Sequence, residues 1–578
     1  MMKRFFQKVK KFQLLLIVVA IGCYGFLSYN YTDNYFEISK NLDIMTTMLR
    51  ELDMHYVDTI KPGALMKTGI DAMLESLDPY TNYIPESEIE DFKFMTTGEY
   101  GGIGALIQKD SNNIEVAEPY EDSPATKAGL KAGDRIISVD GISLSGKNTD
   151  DVGKLLKGQP GTAVKLVVLS PGSSTPVEKS LIRQSITVTN VPYSGMISDD
   201  IGYIRLVEFT QGAGRNVRNA LIALKKNPNL KGVILDLRNN PGGLLDEAID
   251  VVNVFEPKNQ LVVNTRGRMK EWNHLDLTTN DPVDTNIHVA MLVNSGSASA
   301  SEIVTGTIQD LDRGIVIGTR TYGKGLVQQT RPLSYDAQLK FTIAKYYIPS
   351  GRCIQALDYS HRNAEGSVSK VPDSLKFAFR TKHGRVVYDG GGIDPDIKIE
   401  PHKYTSVAIN LQTQYFIFNY ATLYVLKHST ISAPSDFSLT DDEYNDFVSY
   451  VKEHNFKYTT KTDQLLKQLK ESTQTENYYD DLKDAYSIIN VEINEAKKND
   501  LTKNKIEIKE LLEEEIASRY YYDKGRIEIG IKNDKETSKG IALLNDEIKY
   551  DSIIKTVVPA IRPFRNPALN TWPLKEAK

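Results

Sequence analysis

The chain has 578 residues, of which 40% are hydrophobic and 25% are charged, and its formal net charge is −5. This length predicts several domains, because one domain takes about 150 residues on average, and the mildly acidic balance gives no basic surface that would favour nucleic acid as a partner. The two cysteines, Cys23 and Cys353, lack the paired Cys/His spacing of a structural zinc site, so we expect no metal.

The N-terminus has the composition of an export or membrane-anchoring segment. Five basic residues within Met1–Lys11 precede an uncharged, mostly apolar stretch from Phe12 to Tyr31. This order is typical of a signal sequence or a signal anchor. No small-residue cleavage site is obvious, which favours an uncleaved anchor. Ala20–Cys23 weakly resembles a lipidation motif with Cys23 as the acylated residue, so an anchor, a lipoprotein and a cleaved signal peptide all stay open.

We therefore expect residues 1–31 to be a signal anchor or a signal peptide, with the membrane as a partner through this segment. By the positive-inside rule, the rest of the chain then lies on the outer, periplasmic side of the cytoplasmic membrane, either anchored or exported.

Residues 32–96 predict a helical region. Apolar residues recur at helical spacing from Leu42 to Leu52 and again from Leu65 to Leu77. Lys61–Gly63 is expected to separate the two helices, and Asp78-Pro79 to end the second one.

Residues 97–185 consist of short segments with a β-strand pattern, separated by glycines. Gly101–Ile107 predicts a glycine loop that enters a strand, and Ala132–Gly141 predicts a strand closed by an Asp-Gly turn. Helices are predicted at Ser123–Gly129 and Asp150–Leu156, and a final strand at Val164–Leu169. This mixture predicts a compact α+β module.

The module resembles a PDZ domain. The resemblance lies in the Gly-Gly-Ile-Gly loop, the segment from Ser123 to Ile136 and the following Val-Asp-Gly. It implies that protein or peptide C-termini bind by β-augmentation, with the terminal carboxylate held by the loop amides of Gly102, Ile103 and Gly104. The alternative is that these glycines only form a tight turn.

Residues 186–400 predict an α/β core, in which loops at one sheet edge form the site. The predicted strands and helices alternate as follows: strand Ile201–Val207, helix Arg215–Lys225, strand Gly232–Leu237, helix Leu245–Val254, strand Ile287–Asn294 and a helix through Leu311. Residues 401–578 predict a mostly helical C-terminal extension, including a helix at Asn504–Tyr522. Its role in regulation, dimerisation or partner binding stays open.

A serine-rich segment, Asn294–Glu302, lies at a predicted strand-to-helix junction. The free N–H groups and the dipole of a helix start stabilise developing negative charge, which favours acyl transfer there. A serine nucleophile also needs a base. The eight histidines offer no matching motif, although a triad assembled in space stays open. Lys324, between two glycines, is the stronger candidate, because burial favours loss of a lysine proton.

Three ordered motifs resemble the C-terminal processing peptidases, also called tail-specific proteases. They are D-L-R-N-N-P-G-G at 236–243, G-S-A-S-A-S-E at 296–302 and G-x-x-x-x-G-K-G-x-x-Q at 318–328. The resemblance implies that Ser299 is the nucleophile, that Lys324, 25 positions later, is the base, and that Gln328 supports Lys324. It also implies oxyanion-hole amides at Gly243 and Ala300, a crotonase-like core and no cofactor.

Other interpretations of these motifs are open. Ser299-x-x-Glu302 also matches a capping box, so Ser299 could simply begin a helix. Gly318–Lys324 mimics a phosphate-binding loop, but Gly325 stands where that motif has the Ser or Thr that binds Mg²⁺. The family often has an arginine where this chain has Lys157, which lacks the bidentate fork, so gating of activity by the PDZ domain is in question.

The sequence therefore predicts a multidomain α/β protein: a crotonase-like protease core with an inserted α+β PDZ domain, an N-terminal helical region and a helical C-terminal extension. The implied function is a serine endopeptidase with a Ser/Lys dyad that binds protein C-termini. The rivals are an inactive PDZ scaffold and an acyltransferase or esterase. A homo-oligomer, the substrate and the cleavage preference are left open.

Overall fold

The computed structural model describes residues 35–362 and 367–555, and the chain divides after Tyr83 into two compact units. The apolar segment predicted to be an anchor, with Cys23, lies outside these residues. Over the ranges described, no helix combines the length and the apolar character that a membrane crossing requires.

The described part of the first unit consists mainly of two helices. Helix α1 covers residues 35–55 and α2 covers Pro62–Glu75. Pro62 lies in the first turn of α2, where its missing N–H removes no helical hydrogen bond. Within the predicted helical region 32–96, residues Asn82–Ile84 form the short strand β1 and not a helix. Before it, Asp78 Oδ1 accepts hydrogen bonds from the amides of Tyr80 and Thr81 at 2.9 Å, which turns the chain out of the helix.

In the second unit, helix α3 (Ile89–Thr97) leads into the α+β module. The elements of the module are β2 (Glu99–Gly102), β3 (Ala105–Asp110), β4 (Asn113–Pro119), α4 (Pro124–Lys127), β5 (Arg135–Val139), β6 (Ile142–Ser143), α5 (Thr149–Leu156), β7 (Ala163–Leu169), β8 (Val177–Ile182) and β9 (Gln184–Thr187). One antiparallel sheet has the order β3-β4-β5-β7-β8, with β6 beside β5. Fully buried Val116, Val139 and Leu166 form its core.

The prediction that Val164–Leu169 is the last strand of the module is wrong. It corresponds to β7, and β8 and β9 follow it. Strand β9 pairs with β2 in antiparallel register, Glu99 opposite Thr187, so the chain enters and leaves the module at adjacent strands. This pairing joins residues that are far apart in sequence, so no local sequence pattern predicts it.

The α/β core contains a six-stranded sheet of order β10-β11-β12-β15-β16-β23, parallel except for β10 at its edge. Its elements are β10 (Tyr193–Met196), β11 (Ile201–Arg205), α6 (Ala213–Leu224), β12 (Gly232–Asp236), α7 (Leu245–Phe255), β13 (Leu261–Gly267), β14 (His274–Leu277), β15 (His288–Val293), α8 (Ala300–Asp310), β16 (Ile315–Gly318), β17 (Leu326–Pro332), β18 (Gln338–Tyr347), β19 (Leu357–Arg362), β20 (Val368–Lys370), β21 (Ala378–Arg380), β22 (Val386–Tyr388) and β23 (Ile397–Lys398). The predicted strands and helices of the core are confirmed with ends shifted by one or two residues.

A second sheet lies beside the first one. Strand β17 pairs with β18, β18 with β13, and β13 with β14, all antiparallel. The β17–β18 hairpin follows directly on the loop that carries Lys324, and so it shapes one side of the site described below.

The C-terminal extension is helical, as predicted. Its helices are α9 (Ser406–Thr413), α10 (Phe416–Lys427), α11 (Asp441–Glu453), α12 (Lys461–Thr475), α13 (Tyr479–Lys498), α14 (Asp500–Lys503), α15 (Lys505–Lys532), α16 (Lys535–Leu544) and α17 (Glu547–Lys555). The predicted helix Asn504–Tyr522 is the first part of α15, which continues past a kink at Tyr522.

Helices α16 and α17 cover one face of the six-stranded sheet. Successive strand residues point to opposite faces. Accordingly, Val233 and Leu235 of β12 pack in the core formed with α6, α7 and α8, whereas Ile234 packs with Leu543 and Tyr550. The extension therefore supplies a structural layer of the core.

Candidate active site

Ser299 occupies a strained turn between β15 and α8. Its φ of 54° and ψ of −113° lie outside the regions that a residue with a side chain normally adopts, at a cost of order 1–3 kcal/mol. Hydrogen bonds hold the turn against the 237–243 loop. Ser297 Oγ donates to the Leu237 carbonyl at 2.8 Å, and Ser301 Oγ donates to the Asn240 carbonyl at 2.9 Å.

These contacts separate Ser299 from the neighbouring serines. Ser297 and Ser301 are fully buried and their hydroxyls are engaged in the turn. Ser299 is half-buried and lines a cavity of about 390 Å³. Of the three, Ser299 is therefore the hydroxyl that a substrate can reach.

The cavity brings together the residues predicted to act in catalysis. Ser299, Lys324, Gln328, Gly243 and Ala300 all line it. Most other lining side chains are apolar: Phe92, Met95, Leu245, Ile303, Leu326 and Val327. No histidine is among the described residues that line the cavity, so a triad assembled in space has no support.

Lys324 lies in the loop between β16 and β17. Its amide donates to Glu302 Oε2 at 2.8 Å, and its carbonyl accepts a hydrogen bond from the Tyr346 hydroxyl. The loop leads into a strand and not into a helix, so it lacks the helix N-terminus that a phosphate-binding loop uses. The geometry therefore gives the nucleotide-binding interpretation no support.

Glu302 joins the two loops, a role that the sequence analysis missed. Its carboxylate accepts hydrogen bonds from the Ser299 and Lys324 amides at 2.9 and 2.8 Å, from the Gly323 amide at 2.7 Å and from the Thr321 hydroxyl at 2.6 Å. Burial raises the pKa of Glu302 to about 7, against the lowering effect of these hydrogen bonds. The capping-box spacing was a visible sign, but it indicated only the bond to Ser299.

Two backbone amides point to a binding place for an oxyanion. Ala300 is the first residue of α8, where amides have no acceptor within the helix. Gly243 has φ 146°, and the amides of its neighbours Gly242 and Leu244 are bound to Asn240 Oδ1 and the Phe209 carbonyl at 2.9 and 2.8 Å. Over residues 35–362 and 367–555, neither the Gly243 amide nor the Ala300 amide is bound to an acceptor.

The loop that carries Gly243 packs directly on the serine turn. A Cβ atom built on Gly242 would lie 2.8 Å from Ser299 Cβ and 2.9 Å from the Ala300 nitrogen. Only a residue without a side chain allows this approach, which explains the glycine at position 242.

Gln328 lies on β17 and lines the cavity, and its side-chain amide donates to Thr342 Oγ1 at 3.3 Å. Its amide oxygen is the part of the side chain that can accept a hydrogen bond from an ammonium group.

The predicted carboxylate loop of the α+β module lies between β2 and β3. Gly102 ends β2, Gly104 has φ 74°, and the Ile103 side chain is buried in the module core. Strand β3 is an edge strand of its sheet, and α5 packs beside it. An edge strand next to a helix is the arrangement that β-augmentation requires.

Lys157 stands at the position where the family that this chain resembles often has an arginine. It connects the α+β module to α3. Its ammonium group lies 2.5 Å from Asp91 Oδ1 on α3, and α3 contributes Phe92 and Met95 to the cavity wall. A single lysine thus makes a contact between the end of α5 and α3, the helix that carries part of the cavity wall.

Comparisons with known proteins agree with this organisation. Residues 200–359 match the model of peptidase family S41, residues 115–170 match a PDZ domain, and residues 407–544 match the C-terminal helical domain of probable PDZ-proteases. A carboxy-terminal-processing protease of Bartonella bacilliformis is 37% identical over 330 residues, which are 56% of this chain and 75% of that protein.

A probable CtpA-like serine protease of Staphylococcus aureus is 31% identical over 406 residues, 70% of this chain and 74% of its own length. Among solved structures, a photosystem II D1 C-terminal processing protease is 27% identical, with 61% of this chain and 86% of that one covered and a TM-score of 0.34.

Proposed function

The chain belongs to peptidase family S41 and is a serine endopeptidase with a PDZ domain, and we propose that it cleaves peptide bonds with a Ser299–Lys324 dyad. The observation that carries this proposal is the shared cavity of Ser299, Lys324, Gly243 and Ala300. A nucleophile, a base and two free amide donors within one cavity are the parts that acyl transfer requires.

In the proposed mechanism, neutral Lys324 takes the proton of Ser299 Oγ as that oxygen attacks the carbonyl carbon of the substrate. The amides of Gly243 and Ala300 stabilise the oxyanion of the tetrahedral intermediate. The Lys324 ammonium then gives its proton to the leaving amine, and water hydrolyses the acyl-enzyme with Lys324 again as base. Gln328 accepts a hydrogen bond from Lys324 and holds it in place.

We further propose that the PDZ domain recruits substrates by their C-termini, through the amides of Gly102, Ile103 and Gly104. The edge position of β3 supports this, and the Bartonella relative is named for carboxy-terminal processing. The contact from Lys157 to Asp91 offers a route by which PDZ occupancy affects the cavity wall.

Two finer expectations complete the proposal. The core is of crotonase-like type, which its parallel sheet with helices on both faces supports. The enzyme acts outside the cytoplasmic membrane, anchored by residues 1–31 or exported, which the basic start and the apolar stretch Phe12–Tyr31 support.

The deciding experiment compares degradation of an unfolded protein with an apolar C-terminus by the full-length wild type, Ser299→Ala and Lys324→Ala. We expect each substitution to lower kcat by about 10³-fold or more, because each removes a part of the nucleophilic step. Ser295→Ala is the matched control, since Ser295 is an exposed serine before the same turn. Proteolysis retained by Ser299→Ala would refute the dyad, and a wild type that neither cleaves nor reacts with an active-serine probe would favour the scaffold.

A further inference from the structure

Glu208 lies beside the candidate oxyanion loop, on the segment between β11 and α6. Its neighbour Phe209 donates its amide to the Gly242 carbonyl at 2.9 Å and accepts the Leu244 amide at 2.8 Å. Glu208 itself lines the cavity that contains Ser299 and Lys324. A side chain at this place therefore borders the space that a bound polypeptide occupies.

The Glu208 carboxylate has no hydrogen-bond or ion-pair partner within the described part of the chain. Other carboxylates around the site are satisfied: Glu247 accepts the amides of Gly212 and Gly214 at 2.7 and 2.9 Å, and Glu302 accepts four donors. Glu208 is half-buried, and burial raises its pKa. A half-buried carboxylate without a donor from the protein is available to accept a charge-assisted hydrogen bond from a cationic group.

The surroundings of Glu208 fit a long cationic side chain. Glu208 is the one acidic residue among the described residues that line the cavity, and Phe92, Met95 and Leu245 are apolar lining residues. Lysine and arginine combine an aliphatic stem, which packs on apolar surface, with a cationic head that seeks an acceptor. A neutral substrate residue would leave the carboxylate unpaired, and an acidic one would be repelled.

We propose that Glu208 is a specificity-determining residue that binds a lysine or arginine side chain of the substrate close to the scissile bond. This inference rests on the proposed function, since it takes the cavity of Ser299 and Lys324 to be the place of cleavage. The PDZ domain would then select a polypeptide by its C-terminus, and Glu208 would select the bond that is cut.

The test uses the full-length protein and peptides with amidated C-termini, which offer no terminal carboxylate to the PDZ domain. Cleavage sites are first mapped by mass spectrometry. Each position that flanks the cleaved bond is then occupied in turn by lysine, arginine, norleucine or glutamate, and kcat/KM is measured. We expect one position at which lysine and arginine exceed norleucine about tenfold, as for a charge-assisted hydrogen bond.

Glu208→Gln should bring the ratio of lysine to norleucine close to one, and Glu208→Lys should favour the glutamate peptide. Glu492→Gln removes an exposed charge on α13 and should keep the wild-type ratio. No preference for a cationic residue at any position, or a Glu208→Gln variant that keeps the wild-type ratio, overturns the proposal.

A binding measurement separates this proposal from the proposed function. On the Ser299→Ala background, the lysine peptide should bind about tenfold more tightly than the norleucine peptide, and a further Glu208→Gln substitution should remove the difference. Equal binding of both peptides, together with loss of cleavage in Ser299→Ala, would overturn the Glu208 proposal alone. Cleavage retained by Ser299→Ala would overturn the dyad, whatever the peptides show.

Discussion

The buried carboxylate of Glu302 connects the turn of the candidate nucleophile to the loop of the candidate base. Its donors are three backbone amides and one hydroxyl, and amides can only donate. A proton on either carboxylate oxygen would therefore oppose one of them. The ionised form is the one that holds both loops, although burial raises the pKa of this carboxyl to about 7.

We expect kcat to fall as the pH is lowered through about 7, because a protonated Glu302 carboxyl can no longer accept all of the hydrogen bonds that it receives from the two loops. Glu302→Gln should lower kcat about 10- to 100-fold, since its NH₂ group would face amide donors. The variant should also lose the part of the pH profile that Glu302 causes, while any step due to Lys324 remains. Profiles of kcat against pH for both enzymes test this, and an unchanged profile in the variant would contradict it.

Gly243 is held in a conformation that a side chain would disturb. Its φ is 146°, and a Cβ atom at this position would lie 2.4 Å from the Phe209 carbonyl oxygen. We expect Gly243→Ala to shift the loop, to lower kcat more than it changes KM, and to cost of order 1–3 kcal/mol of stability. Gly146→Ala is the matched control, because φ there is 78° but nothing lies within 4 Å of the new Cβ. Equal kcat values for the two variants would contradict the role of the loop.

At the level of elements, Arg238 connects the β12–α7 loop to the start of α16. Its guanidinium is bound to buried Asp236, with 2.6 Å between Arg238 Nη2 and Asp236 Oδ2, and also to Asp534 and Glu536. Burial alone would raise the pKa of Asp236, but Arg238 and Arg205 hold it well below its usual range. The helical extension therefore supports the strand end from which the Asn-Asn-Pro-Gly-Gly loop departs.

Neutralising both α16 carboxylates, Asp534→Asn with Glu536→Gln, should lower the melting temperature and kcat together. The Arg238 charge would lose two of its three acidic partners but keep Asp236, so we expect a loss of order 1–3 kcal/mol in stability. Lys535→Gln changes an exposed charge in the same turn and should leave both quantities unchanged. Thermal unfolding and kcat measured on the same samples test this. A double variant with the melting temperature and the kcat of the wild type would show that the contact is dispensable.

Within the second unit as a whole, the extension contacts both the PDZ domain and the protease core. Arg526 Nη2 lies 2.6 Å from Glu118 Oε2 on β4, and Gly133 packs so closely on Thr422 that a Cβ atom would lie 2.6 Å from Thr422 Cγ2. On the other side, Leu543, Leu544 and Tyr550 cover the central sheet. The extension thus bridges the domain proposed to recruit substrate and the domain that cleaves it.

Arg526→Glu should loosen the PDZ domain from the extension, because two carboxylates would then face each other in a partly buried contact. We expect faster amide hydrogen exchange where β4 and α15 meet, measured by mass spectrometry. Adding Glu118→Arg restores opposite charges and should restore part of the protection. Exchange that is unchanged in Arg526→Glu would show that apolar contacts alone hold the domain.

The chain order of motifs and the local periodicity of the core were accessible from the sequence alone. The buried strands and amphipathic helices of the core follow from local patterns, and the spacing of Ser299, Lys324 and Gln328 placed them in one site by resemblance. Local patterns depend only on residues that are close in sequence, and a family motif is identified by the spacing of its residues along the chain.

Only the tertiary structure decided which partners meet across the chain. Ser297 and Ser301 are excluded from the cavity by hydrogen bonds to the 237–243 loop, and Glu302 reaches four donors on two loops. Arg238 is bound to Asp534, which lies 296 residues further along the chain, and α16 and α17 cover one face of the central sheet. A carboxylate or an apolar helix face gives no sign of its partner in the sequence, because burial and pairing exist only after distant elements have packed.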